Sequence, residues 1–458
     1  MEGWTQTMGA GPLLLIAAIA VAVLLILVIK FKVHAFLTLI IVSIATAFAA
    51  QIPPKALMDT LLSGFGETLA SVALLIALGA MLGRLIEHSG GAQVLAEAMV
   101  RLFGEKRAPF GLGVASLLMG FPIFFDAGLV VMLPITFAVA RRLSNRVLLY
   151  GLPAAAAFSV MHVFVPPHPG PVAATELYDA NIGLVLLIGL ILAFPLWYLS
   201  GYLWGIRVGR KYPLEVPAIL GQVDTDQPQN PPKVGTVIGL LLLPLVLIFL
   251  NTGLDFLRAA GAVDPEATWY GVLTAIGSTP IALLISVLVA VLVLGTRRGE
   301  SGTAIEKTLD SALGPVASVI LITGAGGMFG GVLEASGIGD ALADSLGDIG
   351  LPVIVAAYII AVIIRLAQGS ATVALVTAAG LMAPAVAASE MSEVQVAAVV
   401  LATAAGSVFA GHVNDSGFWL VGKLMGMDVK TTLKTWTVQQ GLESVLGFGM
   451  VVVVYLIF

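Results

Sequence analysis

Residues 70–96 (ASVALLIALGAMLGRLIEHSGGAQVLA) and 317–343 (ASVILITGAGGMFGGVLEASGIGDALA) repeat each other without a gap at a constant offset of 247 residues. The identities include Gly79/Gly326, Met81/Met328, Gly83/Gly330, Glu87/Glu334, Ser89/Ser336 and Gly90/Gly337. A duplication of this kind, with the second copy expected to be inverted, gives two similar halves whose interface can hold a site exposed to either side by opposite movement of similar parts. Composition decides the solvent. With 59% hydrophobic and 11% charged residues and a mean hydropathy of +1.04, the chain is expected to dissolve in lipid as an all-α polytopic membrane protein.

Apolar runs long enough to cross roughly 30 Å of hydrocarbon fall at 12–29, 33–51, 68–87, 148–178 and 182–204, and again at 234–251, 269–295, 315–334, 394–422 and 436–458. Each half also holds an apolar segment interrupted near its middle by Gly and polar residues, 108–140 and 352–386, expected to be a re-entrant hairpin. Five spans per half is an odd number, so the second half is expected to be inverted relative to the first. Repeat 1 would cover 1–205 and repeat 2 would cover 234–458, with 206–233 as a cytoplasmic linker rich in Pro, Gln and Asp. Segments 92–106 and 338–349 carry apolar residues at helical spacing and are expected to lie along opposite membrane surfaces.

Charge sets the expected orientation. With both termini outside the cell, Lys30, Lys32, Lys106, Arg107, Arg141, Arg142, Arg146, Arg210, Lys211, Arg297, Arg298 and Lys434 all become cytoplasmic, whereas Lys55 and Arg258 remain outside. The first apolar run follows an N-terminus with Glu2 and no Lys or Arg, so it is expected to be a retained span and not a signal peptide. The net charge of −5 is spread by side of the membrane, which argues against nucleic-acid binding. The chain has no cysteine, which excludes disulfides, thiolate metal sites and cysteine catalysis.

Chemistry is expected where helices break. The hairpins carry Gly120-Phe-Pro-Ile-Phe-Phe-Asp126-Ala-Gly128 and Arg365-Leu-Ala-Gln368-Gly369-Ser370-Ala-Thr372. Spans 148–178 and 394–422 carry His162-Val-Phe-Val-Pro-Pro-His168-Pro-Gly170 and Gly411-His412-Val-Asn414-Asp415-Ser416-Gly417. At the same 247 offset His168 falls on Asp415 and Gly170 on Gly417. A break inside hydrocarbon leaves N–H and C=O groups that only protein, water or ligand can satisfy, and the helix N-termini created there suit a carboxylate. Ionisable residues at bilayer depth are costly and usually functional; here they are Asp126, His168, Arg365, His412 and Asp415. Arg365 can serve as partner of Asp126 or Asp415, or contact an anionic substrate. His162 and His412 are expected to be neutral and bonded to carbonyls, and Glu87 and Glu334 to cap or hinge helix ends. His162 and His168 are six residues apart, not the three or four of a helical metal pair, so no metal is expected. No GxSxG, HExxH or Walker pattern occurs.

FPIFFDAG, HVFVPPHPGP, QGSATVA and GHVNDSGFW resemble the gluconate permease family of the ion transporter superfamily, and the resemblance runs over essentially the whole chain. It implies a bacterial inner-membrane sugar-acid:proton symporter, a homodimer with an elevator-type motion, and a site lined by Asp126, Ser370, Thr372, His168, Asn414, Asp415 and Ser416. Family members also carry related acids and D-serine, so the substrate stays open between gluconate, another small carboxylate and D-serine. The substrate carboxylate is expected among the hairpin and broken-helix N-termini, and its hydroxyls at Gln368, Ser370, Thr372, Asn414 and Ser416, with Gly369, His168 and Arg365 as further substrate-binding candidates. Moving an anion into a negative-inside cell is opposed by about 2.3 kcal/mol per 100 mV, so a co-transported proton, and no cofactor, is expected. Asp126 is the first candidate carrier because Phe124 and Phe125 flank it, then Asp415, then His168. A sodium-coupled carrier, an intramembrane hydrolase using Ser370 with His168, and a passive channel are the alternatives.

Overall fold

Continuous apolar runs of about 20 residues, unlike the alternating strands of a closed barrel, satisfy their backbone in lipid by bonding each N–H within their own helix. The computed structural model describes residues 6–217, 230–259, 262–339, 341, 345, 351–412 and 415–458, and among them there is helix and connecting turn but no strand. In chain order the first half comprises α1 (Ala10–Ile29), α2 (Ala35–Ala49), α3 (Pro54–His88), α4 (Gly91–Phe103), α5 (Ala108–Gly120), α6 (Phe125–Leu143), α7 (Val147–Phe164), α8 (Pro169–Leu177), α9 (Ile182–Leu196) and α10 (Trp204–Lys211). A π-helical turn, Trp197–Leu203, joins the last two without interruption. The second half comprises α11 (Val234–Ala259), α12 (Thr268–Gly277), α13 (Thr279–Ala290), α14 (Gly302–Ser311), α15 (Leu313–Ala335), α16 (Val353–Gln368), α17 (Ala371–Ala387), α18 (Glu393–Ser407), α19 (Ser416–Leu424) and α20 (Val429–Ile457). Seven helical stretches among the described residues are long and apolar enough to cross a membrane.

The 247-residue offset extends from sequence into secondary structure. Shifted by it, α8 falls on α19 end for end, and α5, α6 and α9 to α10 fall on α16, α17 and α20 within a few residues. Helices break at Phe121–Phe124, Val165–His168, Gly369–Ser370 and in the stretch between α18 and α19. Residues 166, 167 and 169 are prolines that a helix interior cannot accept. Gly369 stops α16 with φ +90°, a left-handed conformation natural to glycine.

Two apolar runs are divided differently from the sequence reading. Span 68–87 is the end of a 35-residue helix, α3, about 52 Å long at 1.5 Å per residue. Run 269–295 stops at Ser278, because Pro280 fits the first turn of a new helix and not the middle of an old one. Segment 338–349 lies mostly outside the described residues. The linker's residues 218–229 also lie outside them, but its first part docks: Val147 donates to the Leu214 carbonyl at 2.9 Å and Arg141 to the Pro217 carbonyl at 3.2 Å.

Helix pairing positions the breaks. The ends of the α5–α6 segment meet through Arg142 and Glu105, 3.2 Å apart, so the pair doubles back on itself as a helical hairpin. The repeat-related helices α3 and α15 pack antiparallel: Thr60 lies against Gly331, Gly64 against Gly327, and Phe65 and Leu69 against Gly324. Glycines allow that approach, since a Cβ on Gly64 would stand 2.6 Å from the Gly327 carbonyl oxygen. Two further helices bring small residues into the core. In α7, Ala154 to Ala157 are all essentially inaccessible, as are Ala397 to Ala405 of α18, so both helices run through the interior.

Candidate functional site

All four breaks line one cavity of about 510 Å³. From the first come Pro122 to Asp126, from the second Pro169, from the third Ser370 to Thr372, and from the fourth Asp415 to Gly417. These residues begin α6, α8, α17 and α19, so four helix N-termini converge, each contributing a positive dipole end. They differ in how their donors are used. Ser370 caps α17 by accepting from the Val373 N–H at 3.4 Å, and Asp415 caps α19 by accepting from the Gly417 N–H at 3.0 Å. No side chain caps α6 or α8. In α8 prolines at 169 and 171 remove donors, which leaves the first turn of α6 as the richest set of uncommitted N–H groups.

One buried guanidinium sits among them. Arg365 is 2% exposed; Nη2 donates to Asp415 Oδ2 at 2.7 Å and to Gln440 Oε1 at 3.2 Å, and Nη1 donates to the Gly369 carbonyl. Its Nε has no acceptor among the described residues. Arg365 is thus the partner of Asp415, not of Asp126, and it lines the cavity too. Asp126 stands in the first turn of α6, exposed to the cavity, and makes no ion pair among the described residues.

The histidines form a chain across the two halves. His168 Nε2 lies 2.6 Å from the Gly120 carbonyl, His168 Nδ1 lies 3.3 Å from His162 Nδ1, and His162 Nε2 lies 3.3 Å from Thr372 Oγ1. A carbonyl only accepts, so His168 carries its proton on Nε2. In the neutral ring its Nδ1 then accepts from His162, whose Nε2 accepts from the Thr372 hydroxyl. His162 faces the cavity, whereas His168 is buried behind it at 2% exposure. His412 bonds the Leu366 carbonyl at 3.2 Å and lies off the cavity. Gly369 contributes its carbonyl to Arg365 rather than a wall to the cavity. Asn414 and the Gln368 side chain lie outside the described residues.

Several lining groups carried no sequence signal of their own. Ser159 and Gln440 face the cavity from the middle of long helices. At its far end the lining reaches Arg84, 39% exposed, which bonds Glu87 at 2.6 Å and Ser311 at 3.1 Å. Arg84 and Ser311 are related by the 247-residue offset to Gly331 and Gly64. The same pair of positions is therefore a wide polar contact in one place and a close glycine contact, 3.5 Å from a Cβ on Gly331 to the Gly64 Cα, in the other.

The family model described as GntP family permease matches residues 12–457. The chain belongs to the GntP family of permeases. It is a membrane permease, not an enzyme. The chain is 38% identical over 450 residues to the gluconate permease of Bacillus subtilis, covering 97% of this chain and 99% of that one. It is 40% identical to the inner membrane permease YgbN of Escherichia coli, covering 90% and 91%. The Gnt-II system L-idonate transporter of Escherichia coli is 33% identical, with 95% and 97% covered. Among solved structures, the permease shares its fold with MtrF of Neisseria gonorrhoeae, at a TM-score of 0.66 and 13% identity over 93% of this chain and 96% of that one. The YdaH transporter of Alcanivorax borkumensis gives 0.58 and 18% over 86% and 88%.

Proposed function

We propose that this permease imports gluconate or a closely related sugar acid across the bacterial inner membrane by proton symport. The convergence of four helix N-termini and one buried arginine on a single cavity carries the reading, because that arrangement suits a small carboxylate better than a neutral or cationic solute. In this reading the carboxylate binds at the uncapped N-terminus of α6 and near Arg365. The sugar hydroxyls meet Ser370, Thr372 and Ser416, with Gln368 and Asn414 completing the set, and His168 supports the wall through His162. Relatives named for gluconate and L-idonate support a polyhydroxy acid as substrate.

Asp126 is the acid proposed to take the proton from cavity water, with Asp415 and His168 behind it in order. A substrate anion beside Asp126 favours its neutral form by like-charge repulsion, and proton and anion then assist each other's binding by the roughly 1–3 kcal/mol typical of linked sites.

Alternating access is proposed to come from two inverted repeats. A two-fold axis relating antiparallel helices must lie across them, so the antiparallel packing of α3 on α15 supports the inversion. The unequal contacts Arg84–Ser311 and Gly331–Gly64 support exchange: swapping them between the halves would close the end now lined by Arg84 and open the other. Re-entrant entry of the two helical hairpins, an elevator-type displacement, a homodimer and periplasmic termini complete the proposal.

The test is uptake of labelled gluconate into proteoliposomes in sodium-free buffer under an imposed inward proton gradient, with hydroxy acids and D-serine as competitors. Accumulation that follows the proton gradient and is competed by sugar acids is expected. Uptake that needs sodium, or that is competed by D-serine alone, would overturn the reading.

A further inference from the structure

Glu443 lies on α20 with no accessible surface. Its Oε1 accepts from Ser159 Oγ at 3.1 Å and its Oε2 from Gln439 Nε2 at 2.9 Å. No cation lies within ion-pair distance of it among the described residues. An interior carboxylate that has lost water and found no counter-ion is an expensive group to retain. Membrane chains keep such groups where charge or protons move.

The surroundings suit both states of the acid. Ser159 donates to an ionised Glu443, and its hydroxyl lone pairs accept from a protonated one. Gln439 Oε1 is buried with no partner among the described residues, so turning the amide over places that oxygen where it accepts a proton carried on Oε2. Neither change moves a helix. Ser159 also lines the cavity, so a single hydroxyl stands between the acid and the water outside it. On the same turn of α20, Gln440 accepts from Arg365, the group that holds Asp415.

The neighbouring elements add few competing groups. Arg365 on α16 reaches this part of α20 through Gln440 and holds Asp415 at the head of α19; His162 on α7 is one turn from Ser159, Tyr358 bonds Ser444 at 3.0 Å, and Asp126 lies elsewhere on the cavity wall. Helix α9 has no titratable residue, α18 has only Glu393 at its first position, α19 has only Lys423 in its last turn, and the π-helical turn brings only Tyr198 and Tyr202.

We propose that Glu443 holds the co-transported proton during the crossing, with Ser159 as its relay to the cavity. On loading, the proton that Asp126 takes up from the cavity is handed through cavity water to Ser159 Oγ while Ser159 gives its own to Glu443 Oε1; unloading reverses these transfers and returns the proton to the cavity. Asp126 exchanges with the cavity, Asp415 is committed to Arg365, and Glu443 alone among these acids is sealed from water. The inference rests on the proton-symport reading above.

The test compares wild type with Glu443→Gln, which keeps the side chain's size, its acceptor for Ser159 and, with the Gln439 amide turned over, a bond to Gln439. Proteoliposomes are assayed for labelled gluconate counterflow, for accumulation under a proton gradient, and for proton uptake with a pH-sensitive dye. Counterflow is expected to persist in Glu443→Gln, while gradient-driven accumulation falls to the equilibrium level and substrate-induced proton uptake disappears. Glu443→Asp should restore part of both, and Ser159→Ala should slow proton uptake more than counterflow. Normal accumulation by Glu443→Gln overturns the proposal, and so does loss of counterflow in a variant whose melting profile matches wild type. A variant that melts early is judged on Glu443→Asp and Ser159→Ala, where proton uptake that stays in step with counterflow overturns it equally. Wild type that exchanges no sugar acid would instead refute the substrate assignment, and wild type that exchanges but ignores the proton gradient would refute symport.

Discussion

Removing the Arg365 side chain tests whether one buried ion pair holds the site together. In Arg365→Met the side chains of a pair only 1% and 10% exposed are separated, and Asp415 keeps the Gly417 N–H as its described hydrogen-bond donor. Breaking a buried pair from one side costs about 3–5 kcal/mol, chiefly because the remaining charge is stranded. Arg365 also donates to Gly369 and Gln440, and each lost bond adds about 0.5–1.5 kcal/mol. Adding Asp415→Asn removes the stranded charge while keeping an acceptor for Gly417. The double variant is therefore expected to recover about 2 kcal/mol or more relative to the sum of the two single changes. The assay is thermal unfolding of detergent-purified protein, paired with gluconate counterflow. Stability should return in the double variant while counterflow does not, since the cavity has lost its guanidinium. Additive effects of the two substitutions, or normal counterflow in either arginine-less variant, would refute the reasoning.

Helix α3 gives a steric prediction: Gly64→Ala should destabilise by about 1–3 kcal/mol through overpacking against Gly327, whereas Gly331→Ala, with its nearest contact at 3.5 Å, should melt like wild type. Thr372→Val leaves His162 Nε2 without its donor at the end of the histidine chain; a loss of about 1 kcal/mol in substrate affinity is expected by isothermal titration, and unchanged affinity would count against Thr372 as part of the site. Asp428, outside the membrane helices, caps α20, and its hydrogen bonds from Thr431 hold the carboxyl below its ordinary value. A depressed folded value means the stabilisation is full above the unfolded carboxylate range and is lost as pH falls through the folded value; the melting difference between wild type and Asp428→Ala should therefore shrink on acidification, and a difference that grows in acid would refute the assignment.

Much of the architecture was legible because lipid leaves few options. Apolar runs had to be helices, and prolines 166, 167 and 169 and the Gly369-Ser370 pair had to interrupt them. The residues flagged at the breaks, Asp126, Ser370, Thr372, Asp415 and Ser416, do line one cavity, since a break and its flanking polar groups are adjacent in sequence. Glu443 was not legible. In Gly-Leu-Glu-Ser-Val a glutamate reads as ordinary helix surface, and only packing reveals that it faces Ser159 and Gln439 in the interior. Arg365 shows the same limit: its charge at bilayer depth was evident, but whether it served Asp126 or Asp415 depended on which helix ends met.

By itself, then, the sequence determined the solvent, the helices, their interruptions and the duplication, because hydropathy, proline and glycine act locally and a repeat is visible as identity at a fixed spacing. Tertiary structure alone decided that the four interruptions share a cavity, that Arg365 belongs to Asp415, and that Glu443 is sealed behind Ser159. Those are contacts between residues tens to hundreds of positions apart, and helix periodicity says which residues share a face but not what that face meets.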